Sequence, residues 1–291
     1  MTTVTEALSG KTHGEENFPV ASWLLSDRNR GPILAFYRFA RAADDVADHP
    51  SLPPDEKLAL LDDLDAALRG RTDPLPEAEP LRLALAARDL SPVHALELLE
   101  AFRLDVRKRR YADWGELMDY CRLSAAPVGR FVLDVHGEAE TAWPASDALC
   151  AALQVNNHLQ DCALDYRRLD RVYLPLDILA ANGASVAMLD APRAAPELRA
   201  ALAEIARRTS GLIERGEGLV AEIKDVRLAT EIAAIHALAR RLARDLESRD
   251  PLSERVEFGK AGFALVGGLG AVRFLASALI RSVRSRPKAP A

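Results

Sequence analysis

The stretch Ala43-Asp44-Asp45-Val46-Ala47-Asp48 follows directly on residues 33–40, which are mostly apolar and aromatic. No helix breaker interrupts this segment before Pro50, so it is predicted to form one helix that ends there. On that helix Asp44 and Asp48 are one turn apart and share a face. Two carboxylates placed in this way repel each other unless a cation lies between them. Mg²⁺ suits such a position, because it prefers carboxylate oxygens and keeps coordination positions open for substrate phosphates.

A second stretch, residues 154–165, bears on whether the first one is functional. A short acidic cluster near a helix end is more often a solvated surface than a metal site. In the second stretch, however, Asn157, Asp161 and Asp165 recur at successive i, i+4 steps and form one polar stripe on another predicted helix. Two such stripes facing each other across a helical bundle would form a carboxylate cage for metal ions and a diphosphate.

Together the two stretches resemble the paired aspartate-rich motifs of the squalene/phytoene synthase family. The first motif matches Phe36-Tyr37-Arg38-Phe39-Ala40-Arg41-Ala42-Ala43-Asp44-Asp45-Val46-Ala47-Asp48, and the second matches Gln154, Asn157, Asp161 and Asp165, followed by Arg171-Val172-Tyr173-Leu174-Pro175. The resemblance extends roughly from Asn17 to Lys260. Within the family it is strongest to the bacterial hydroxysqualene synthases, on residues 16–23, 124–130 and 169–175.

The resemblance implies a fold, a cofactor and a set of site residues. The fold is the all-α isoprenoid (terpenoid) synthase bundle around a central cavity, and the cofactor is Mg²⁺. The implied metal ligands are Asp44, Asp48, Asn157, Asp161 and Asp165. The implied substrate contacts are Asn17, Phe18, Gln154 and Arg171, and the implied catalytic residues are Tyr37, Arg41 and Tyr173. From the residues alone, Arg41 could equally form an i, i+4 salt bridge with Asp45, and Tyr37 could be a core tyrosine.

The composition excludes several classes of function. Of the 291 residues, 49% are hydrophobic and 28% are charged, which is ordinary for a soluble globular protein. The net charge of −5 argues against a nucleic-acid partner, which would need a basic face. The N-terminus has no basic-then-apolar signal pattern, and Cys121, Cys150 and Cys162 lack the spacing of a metal site. We therefore expect a cytoplasmic protein with reduced thiols.

The chain is predicted to be one helical domain, residues 15–280, between a flexible tail (1–14) and a basic tail (281–291). No alternating strand pattern of useful length is present. Helices are expected at residues 19–25, 33–49, from 56 onwards, 81–87, 93–106, 114–123, 128–136, from 143 to about 170, 197–224 and 230–249, with a turn at 26–32. The helix at 128–136 is expected to line a hydrophobic cavity. The basic run at residues 107–110 is interpreted as a solvated helix end, with steering of an anionic substrate as the alternative.

The last apolar run, residues 261–280, raises the question of a membrane. Arg273 and several glycines interrupt it, and Arg281, Arg284, Arg286 and Lys288 follow. We interpret it as the final helix of the bundle. The alternative is a peripheral membrane anchor, because apolar and basic residues together suit an anionic bilayer surface. On that alternative the protein would lie at the inner face of the membrane.

Two departures from the family pattern bear on the substrate. Most condensing members of the family carry Arg-Asp-x-x-Glu-Asp in the second motif, whereas this chain has Gln160 and Leu164 in place of the Arg and the Glu. Leu164 is expected to point partly into the bundle. The missing charges favour an enzyme that ionises preformed presqualene diphosphate to hydroxysqualene, with a handover from other squalene-pathway enzymes as a further expectation.

Two other functions remain open at this point. One is a condensing prenyltransferase that makes presqualene diphosphate, squalene or phytoene. The other is a non-enzymatic helical assembly factor, against which the intact aspartates argue.

Overall fold

The computed structural model describes residues 2–8 and 26–284, and this part of the chain is helical. The α-helices, in chain order, are α1 (Asp27–Asp48), α2 (Pro54–Leu68), α3 (Glu79–Ala86), α4 (Val93–Arg107), α5 (Trp114–Ser124), α6 (Ala126–His136), α7 (Trp143–Leu169), α8 (Leu176–Ala181), α9 (Pro196–Arg215), α10 (Leu219–Glu222), α11 (Val226–Ser248) and α12 (Lys260–Arg284). Short 3-10 helices cover Thr5–Ala7, Glu140–Ala142 and Val186–Asp190. Within these residues the β-type pairing is one isolated bridge, between Arg110 and Val172. The predicted all-α fold is confirmed.

The apolar side chains form two buried clusters that meet at α6. One cluster gathers α1 to α3 and most of α4, and the other gathers Ala101 of α4 with α5 and α7 to α11. On α6, Phe131 and Val135 belong to the first cluster and Leu133 to the second, so this helix joins the two. At the N-terminus, Val4 and Ala7 are buried in the first cluster. Within the predicted flexible tail, Val4 and Ala7 are therefore packed against the core. Residues 9–25, which include the helix predicted at 19–25, lie outside the described part.

The predicted turn at residues 26–32 is wrong, because α1 already begins at Asp27 and contains Pro32. Proline has no backbone N–H, so Pro32 cannot donate to the carbonyl of Arg28 one turn earlier. The guanidinium of Arg88 donates to that carbonyl instead, and it also donates to Asn29 Oδ1 and to the carbonyl of Val135, each at 3.2 Å. A contact from α3's end thus replaces the bond that the proline removes.

The single helix predicted at residues 197–224 is also wrong, because α9 ends at Arg215 and the short α10 follows. The break falls at Gly216, which lies against α7. A Cβ at this position would lie only 3.2 Å from the carbonyl oxygen of Ala145 and 3.2 Å from Cβ of Leu149. Glycine allows this close approach, and it is a poor residue for a helix interior, so the chain turns here.

The final helix, α12, packs on α11 through its glycines. A Cβ on Gly270 would lie 2.8 Å from the carbonyl oxygen of Ala233 and 2.8 Å from Cβ of Ala237. The two backbones can approach this closely only because residue 270 has no side chain. Among the helices of residues 2–8 and 26–284, none is both long enough and apolar enough to cross a membrane.

Candidate active site

The first aspartate-rich motif lies at the C-terminal end of α1. Arg41 Nη1 lies 2.8 Å from Asp44 Oδ2, and Arg41 Nη2 lies 2.9 Å from Asp45 Oδ1. Asp45 is buried, whereas the carboxylates of Asp44 and Asp48 are each about one-third exposed. The alternative reading of Arg41, a salt bridge to Asp45, is therefore confirmed. The same guanidinium also contacts Asp44, so it fixes the first carboxylate of the motif.

The second motif lies on α7, where Gln154, Asn157, Asp161 and Asp165 follow one another at spacings of three, four and four residues, as on one helix face. Gln154, Asn157 and Asp165 are half-buried and Asp161 is exposed. Asn157 Oδ1 is buried and has no hydrogen-bond partner among the described residues. A buried oxygen without a donor is unfavourable in a folded protein, so this amide is a good candidate for a ligand.

The segment after α7 is held by the loop that follows α4. Asp170 ends α7 with a left-handed backbone (φ 50°), and its carboxylate pairs with the guanidinium of Arg110. The N–H of Val172 donates to the carbonyl of Arg109 at 2.9 Å, and Arg109 Nη1 donates to the carbonyl of Leu169 at 2.7 Å. These basic residues therefore hold the segment that carries Arg171 and Tyr173.

A buried network around Asp105 completes this side of the site. Tyr173 and Tyr120 donate their hydroxyls to Asp105 at 2.7 and 2.8 Å, and Arg171 Nη2 donates to the carbonyl of Asp105 at 3.1 Å. Burial raises the pKa of Asp105 to about 6, although Arg171 and the two hydroxyls act to lower it. Arg171 Nη1 also lies 2.9 Å from Asp48 Oδ1, so this one side chain links α1, α4 and the segment after α7.

Sequence reasoning missed Asp105, Tyr120 and His158. Asp105 lies on the buried face of α4, in line with Leu98 and Ala101. A charged residue within an apolar helix stripe is the sequence feature that could have identified it. His158 is buried, and its ring stacks on Tyr173 with 3.7 Å between the ring centroids. Burial lowers the pKa of His158 to about 3, so the imidazole is neutral near pH 7.

The two motifs act on each other electrostatically. Burial, and then the neighbouring Asp48, raise the pKa of Asp44 to about 7. Burial, then Asp161 and more weakly Asp48, raise the pKa of Asp165 to about 7 as well. Arg171, two residues after the end of α7, lies 2.9 Å from Asp48 of α1, so the C-terminal ends of the two aspartate-bearing helices are near each other. In the described part of the chain, no three acidic, histidine or cysteine side chains are close enough to hold a metal ion as they stand.

An apolar cavity of about 420 Å³ opens beside the first motif. Tyr37, Arg41 and Asp44 of α1 are among its lining residues, and Glu231 of α11 contributes a second carboxyl. The walls come from α1, α4, α6, α7, α10 and α11, and they are mostly aliphatic and aromatic. Helix α6 contributes Val128, Phe131 and Val132, which confirms the prediction that residues 128–136 line a hydrophobic cavity. Its volume is within the roughly 300–1,000 Å³ that is usual for ligand pockets.

The candidate residues therefore fall into three groups. Tyr37, Arg41 and Asp44 line the cavity; Arg171 and Tyr173 belong to the buried network that reaches Asp48; and Gln154, Asn157, Asp161 and Asp165 lie along α7. Asn17 and Phe18 lie outside the described residues. The catalytic, binding and metal-ligating roles of all these residues stay predictions.

The donors present suit Mg²⁺. The aspartates offer carboxylate oxygens, and Asn157 offers a buried amide oxygen. Burial and, after it, neighbouring carboxylates raise the pKa values of Asp44 and Asp165, and a bound cation would favour the ionised form of both. Asp44, Asp48, Asn157, Asp161 and Asp165 are the residues that would hold it.

Mg²⁺ binding is expected to strengthen as pH rises from about 6 to about 8. Asp44 and Asp165, each with a pKa raised to about 7, are partly protonated below pH 7, and the metal must displace those protons. Each proton displaced adds up to about tenfold in apparent affinity per pH unit, and the effect ends above the raised pKa values. Titration calorimetry in two buffers of different ionisation enthalpy measures both the affinity and the protons released. Binding that is independent of pH, with no proton release, would contradict this.

Gln160 and Leu164 are the two departures from the family pattern in the second motif, and the expectation for Leu164 is wrong. Gln160 Nε2 donates to the carbonyl of Val256 at 2.5 Å, so it anchors the segment that precedes α12. Leu164 is 44% exposed, and the prediction that it points partly into the bundle is wrong. Its place on α7 puts it on the solvent side, between the buried Ala163 and the half-buried Asp165. A glutamate at 164 would therefore meet water and would not need a buried partner.

A helical bundle with two aspartate-bearing helices near an apolar cavity defines the isoprenoid synthase class. The sequence model of the squalene/phytoene synthase family matches residues 11–261, and the chain belongs to this family. It is 54% identical to the hydroxysqualene synthase of Rhodopseudomonas palustris over 290 residues, which cover 100% of this chain and 97% of that protein.

Similar solved structures include the following two. The crystal structure of squalene synthase HpnC from Alicyclobacillus acidocaldarius has a TM-score of 0.71 and 32% identity, covering 81% of this chain and 89% of that one. A dehydrosqualene synthase in complex with a ligand has a TM-score of 0.78 over 90% of this chain and 93% of that one, and at 20% identity it shows the fold alone. The predicted resemblance is thus confirmed: the protein is an enzyme of the squalene/phytoene synthase family, with the isoprenoid chemistry of that family.

Proposed function

We propose that this protein is a Mg²⁺-dependent hydroxysqualene synthase, which ionises presqualene diphosphate, releases diphosphate and lets water capture the rearranged cation. The observation that carries the proposal is the apolar cavity lined by Arg41 and Asp44 of the first motif and by residues of α7, the helix that bears the second motif. This arrangement suits a long hydrocarbon with one anionic head. The similarity to hydroxysqualene synthases over the whole chain supports the same substrate.

In this proposal the charged residues of the first motif stabilise the leaving diphosphate. The carbon–oxygen bond to the diphosphate breaks, and the electron pair stays with the diphosphate oxygen. Bound Mg²⁺ supplies positive charge that neutralises the leaving diphosphate. Arg41 offers guanidinium donors, held in place by Asp44 and Asp45. Arg171, fixed between Asp48 and Asp105, sets the position of the Asp48 carboxylate.

In this proposal the apolar walls of the cavity enclose the carbocation and protect it from water. Leu149 and Leu153 of α7 and Ile232 and Ile235 of α11 line it with aliphatic side chains that do not react with a carbocation. They also limit the access of stray water. A water molecule forms the new carbon–oxygen bond at the end of the rearrangement and loses one proton. The products are hydroxysqualene, diphosphate and that proton, so no reductant is required.

A condensing prenyltransferase is the second candidate, and the structure changes the argument that separates the two. Leu164 is exposed and apolar, and Gln160 donates through Nε2 to Val256, although Gln160 Oε1 is buried without a hydrogen-bond partner among the described residues. The difference from condensing members is then the number of charges near α7, where one cationic and one anionic group are missing. Condensation must ionise one diphosphate while a second one is held, so it needs more such groups than a single ionisation.

The wild-type enzyme with Mg²⁺ is expected to convert presqualene diphosphate to hydroxysqualene and to leave farnesyl diphosphate unchanged. Each substrate is supplied alone, and the extracted products are identified by mass spectrometry against standards. Efficient use of farnesyl diphosphate, with presqualene diphosphate accumulating, would establish the condensing alternative. The same assay on the Gln160→Arg/Leu164→Glu variant shows whether the two charges are sufficient for condensation. Residue 164 is exposed, but Gln160→Arg removes the hydrogen bond to Val256, so circular dichroism must show that the variant is folded.

The proposal extends to where the substrate comes from. Presqualene diphosphate and hydroxysqualene both carry long hydrocarbon chains that partition into lipid. Delivery from a membrane, or handover from the enzyme that makes presqualene diphosphate, therefore belongs to the proposed function, as does peripheral contact of the final helix with a membrane.

A further inference from the structure

The final helix, α12, has two different sides. Its inner side holds Gly267 and Gly270, which lie against Ala234 and Leu238 of α11, and Phe274, which packs against the core. The two glycines on this side allow close helix packing. This packing accounts for the attachment of α12 to the rest of the protein.

The outer side of α12 is a ridge of large apolar residues. Leu265, Leu269, Val272 and Leu275 are 64%, 49%, 62% and 45% exposed. Their spacing of four, three and three residues places them on one face, opposite the glycines. Of the ten large apolar side chains that are exposed in the described part of the chain, these four form the one group that follows a helix face. A continuous exposed ridge of this kind indicates an interaction surface.

The charge around this ridge has one sign. From Phe258 to the end of the chain the sequence holds no Asp or Glu and six basic residues, Lys260, Arg273, Arg281, Arg284, Arg286 and Lys288. The whole chain carries −5, so the rest of it carries −11. Lys260 and Arg273 are exposed. The positive charge is therefore concentrated on the segment that carries the apolar ridge.

We propose that α12 docks the protein on an anionic lipid bilayer, with the helix lying in the plane of the surface. The ridge enters the boundary between headgroups and acyl chains, and the exposed Lys260 and Arg273 pair with anionic headgroups. The helix lies on the membrane and does not span it, since no described helix is apolar enough to cross. A second copy of the chain fits this surface poorly, because pairing two α12 ridges would bring two sets of six cations together.

The inference deepens the proposed function, on which it rests for the chemistry of the substrate. Helix α11, directly beneath α12, lines the cavity with Leu228, Ile232 and Ile235. Docking through α12 therefore places the cavity one helix away from the lipid that dissolves a long-chain diphosphate. Binding to lipid needs no substrate, so it can be measured whether or not the enzyme uses presqualene diphosphate.

The test is co-sedimentation of the full-length protein with vesicles of phosphatidylcholine, with and without phosphatidylglycerol. The wild type is expected to bind the anionic vesicles, and binding is expected to weaken at high salt. Leu265→Asp/Leu269→Asp should lower the partition coefficient by at least about tenfold, since two exposed leucines no longer enter the bilayer. The matched control is Leu83→Asp on α3, which replaces another exposed leucine and should bind as the wild type does.

The electrostatic half of the proposal has its own pair of variants. Arg273→Glu is expected to weaken binding to anionic vesicles, while Arg255→Glu, at an exposed arginine before α12 that pairs with Glu257, should not. Circular dichroism and thermal unfolding confirm that each variant is folded. Equal binding of the wild type and the Leu265/Leu269 variant would overturn the proposal. So would a wild type that ignores vesicles but forms a dimer that the same variant dissociates, because the ridge would then be a protein interface.

Discussion

Replacing Asp48 or Asp161 by alanine is expected to abolish turnover of presqualene diphosphate while leaving the helical fold intact. Each substitution removes a proposed metal ligand, so less positive charge faces the leaving diphosphate. The expected loss in kcat is at least about 10²–10³-fold, the scale seen when one electrostatic stabiliser of a transition state is removed. The Mg²⁺ concentration for half-maximal rate should also rise. Initial rates over a Mg²⁺ series measure both quantities.

Asp147→Ala is the matched control for this prediction. Asp147 lies on α7 like Asp161, but it pairs with Arg130 at 2.6 Å, away from the second motif. This variant should keep near wild-type kcat and the same Mg²⁺ dependence. Asp161→Ala is the cleaner of the two test variants, because Asp48 also pairs with Arg171. Wild-type turnover in excess chelator, or an Asp161→Ala enzyme with unchanged rate, would refute the metal role.

Replacing Arg171 by methionine is expected to lower both stability and turnover. Methionine keeps much of the side-chain volume but leaves the buried carboxylate of Asp105 and the carboxylate of Asp48 without their shared cation. Removing one partner of a buried ion pair costs about 3–5 kcal/mol. Turnover should fall by about 10- to 100-fold, because Asp48 loses the contact that positions it. Urea unfolding monitored by circular dichroism and steady-state kinetics measure the two effects.

Arg103→Met is the control for Arg171→Met. It tests whether losing any arginine with acidic partners is as harmful as losing the one that serves Asp105. Arg103 lies on α4, the helix that carries Asp105. Its guanidinium contacts Asp62 at 2.6 Å and Glu100 at 2.7 Å. Those two carboxylates are mostly exposed, so water solvates them once the arginine is gone. Its free energy of unfolding should change much less than that of Arg171→Met. Equal destabilisation by both substitutions would show that Asp105 is not the group that depends on Arg171.

The local pattern of the sequence was sufficient for most of the helices and for the pairing of the motifs. A spacing of four residues puts Asp44 with Asp48, and Asn157 with Asp161 and Asp165, on one face of any α-helix, whatever surrounds it. The long helix that opens at Trp143 and ends after Leu169 was predicted for the same reason, since periodicity and end signals are local. The family resemblance rested on those residues and is confirmed over residues 11–261.

The errors fell where a distant contact overrides a local signal. Pro32 was taken as the end of a turn, yet it lies within α1 because Arg88 satisfies the carbonyl that the proline leaves without a donor. The position of Leu164, three residues after Asp161 and one before Asp165, predicts a side chain that points partly into the bundle, yet Leu164 is 44% exposed. Which arc of a helix is buried depends on the helices that pack against it, and spacing along one helix does not specify that arc.

By itself, then, the sequence determined that the chain is helical, that carboxylates are paired on two helices and that the chain belongs to one family of isoprenoid enzymes. Only the tertiary structure decided that Arg171 joins Asp48 to Asp105 and that Tyr120 and Tyr173 both donate to the Asp105 carboxylate. It also decided that the apolar ridge of α12 is left exposed. The physical reason is distance along the chain. Arg171 lies 123 residues from Asp48 and 66 from Asp105, so no periodic pattern relates them, and only the packing of the helices brings these groups within hydrogen-bonding reach.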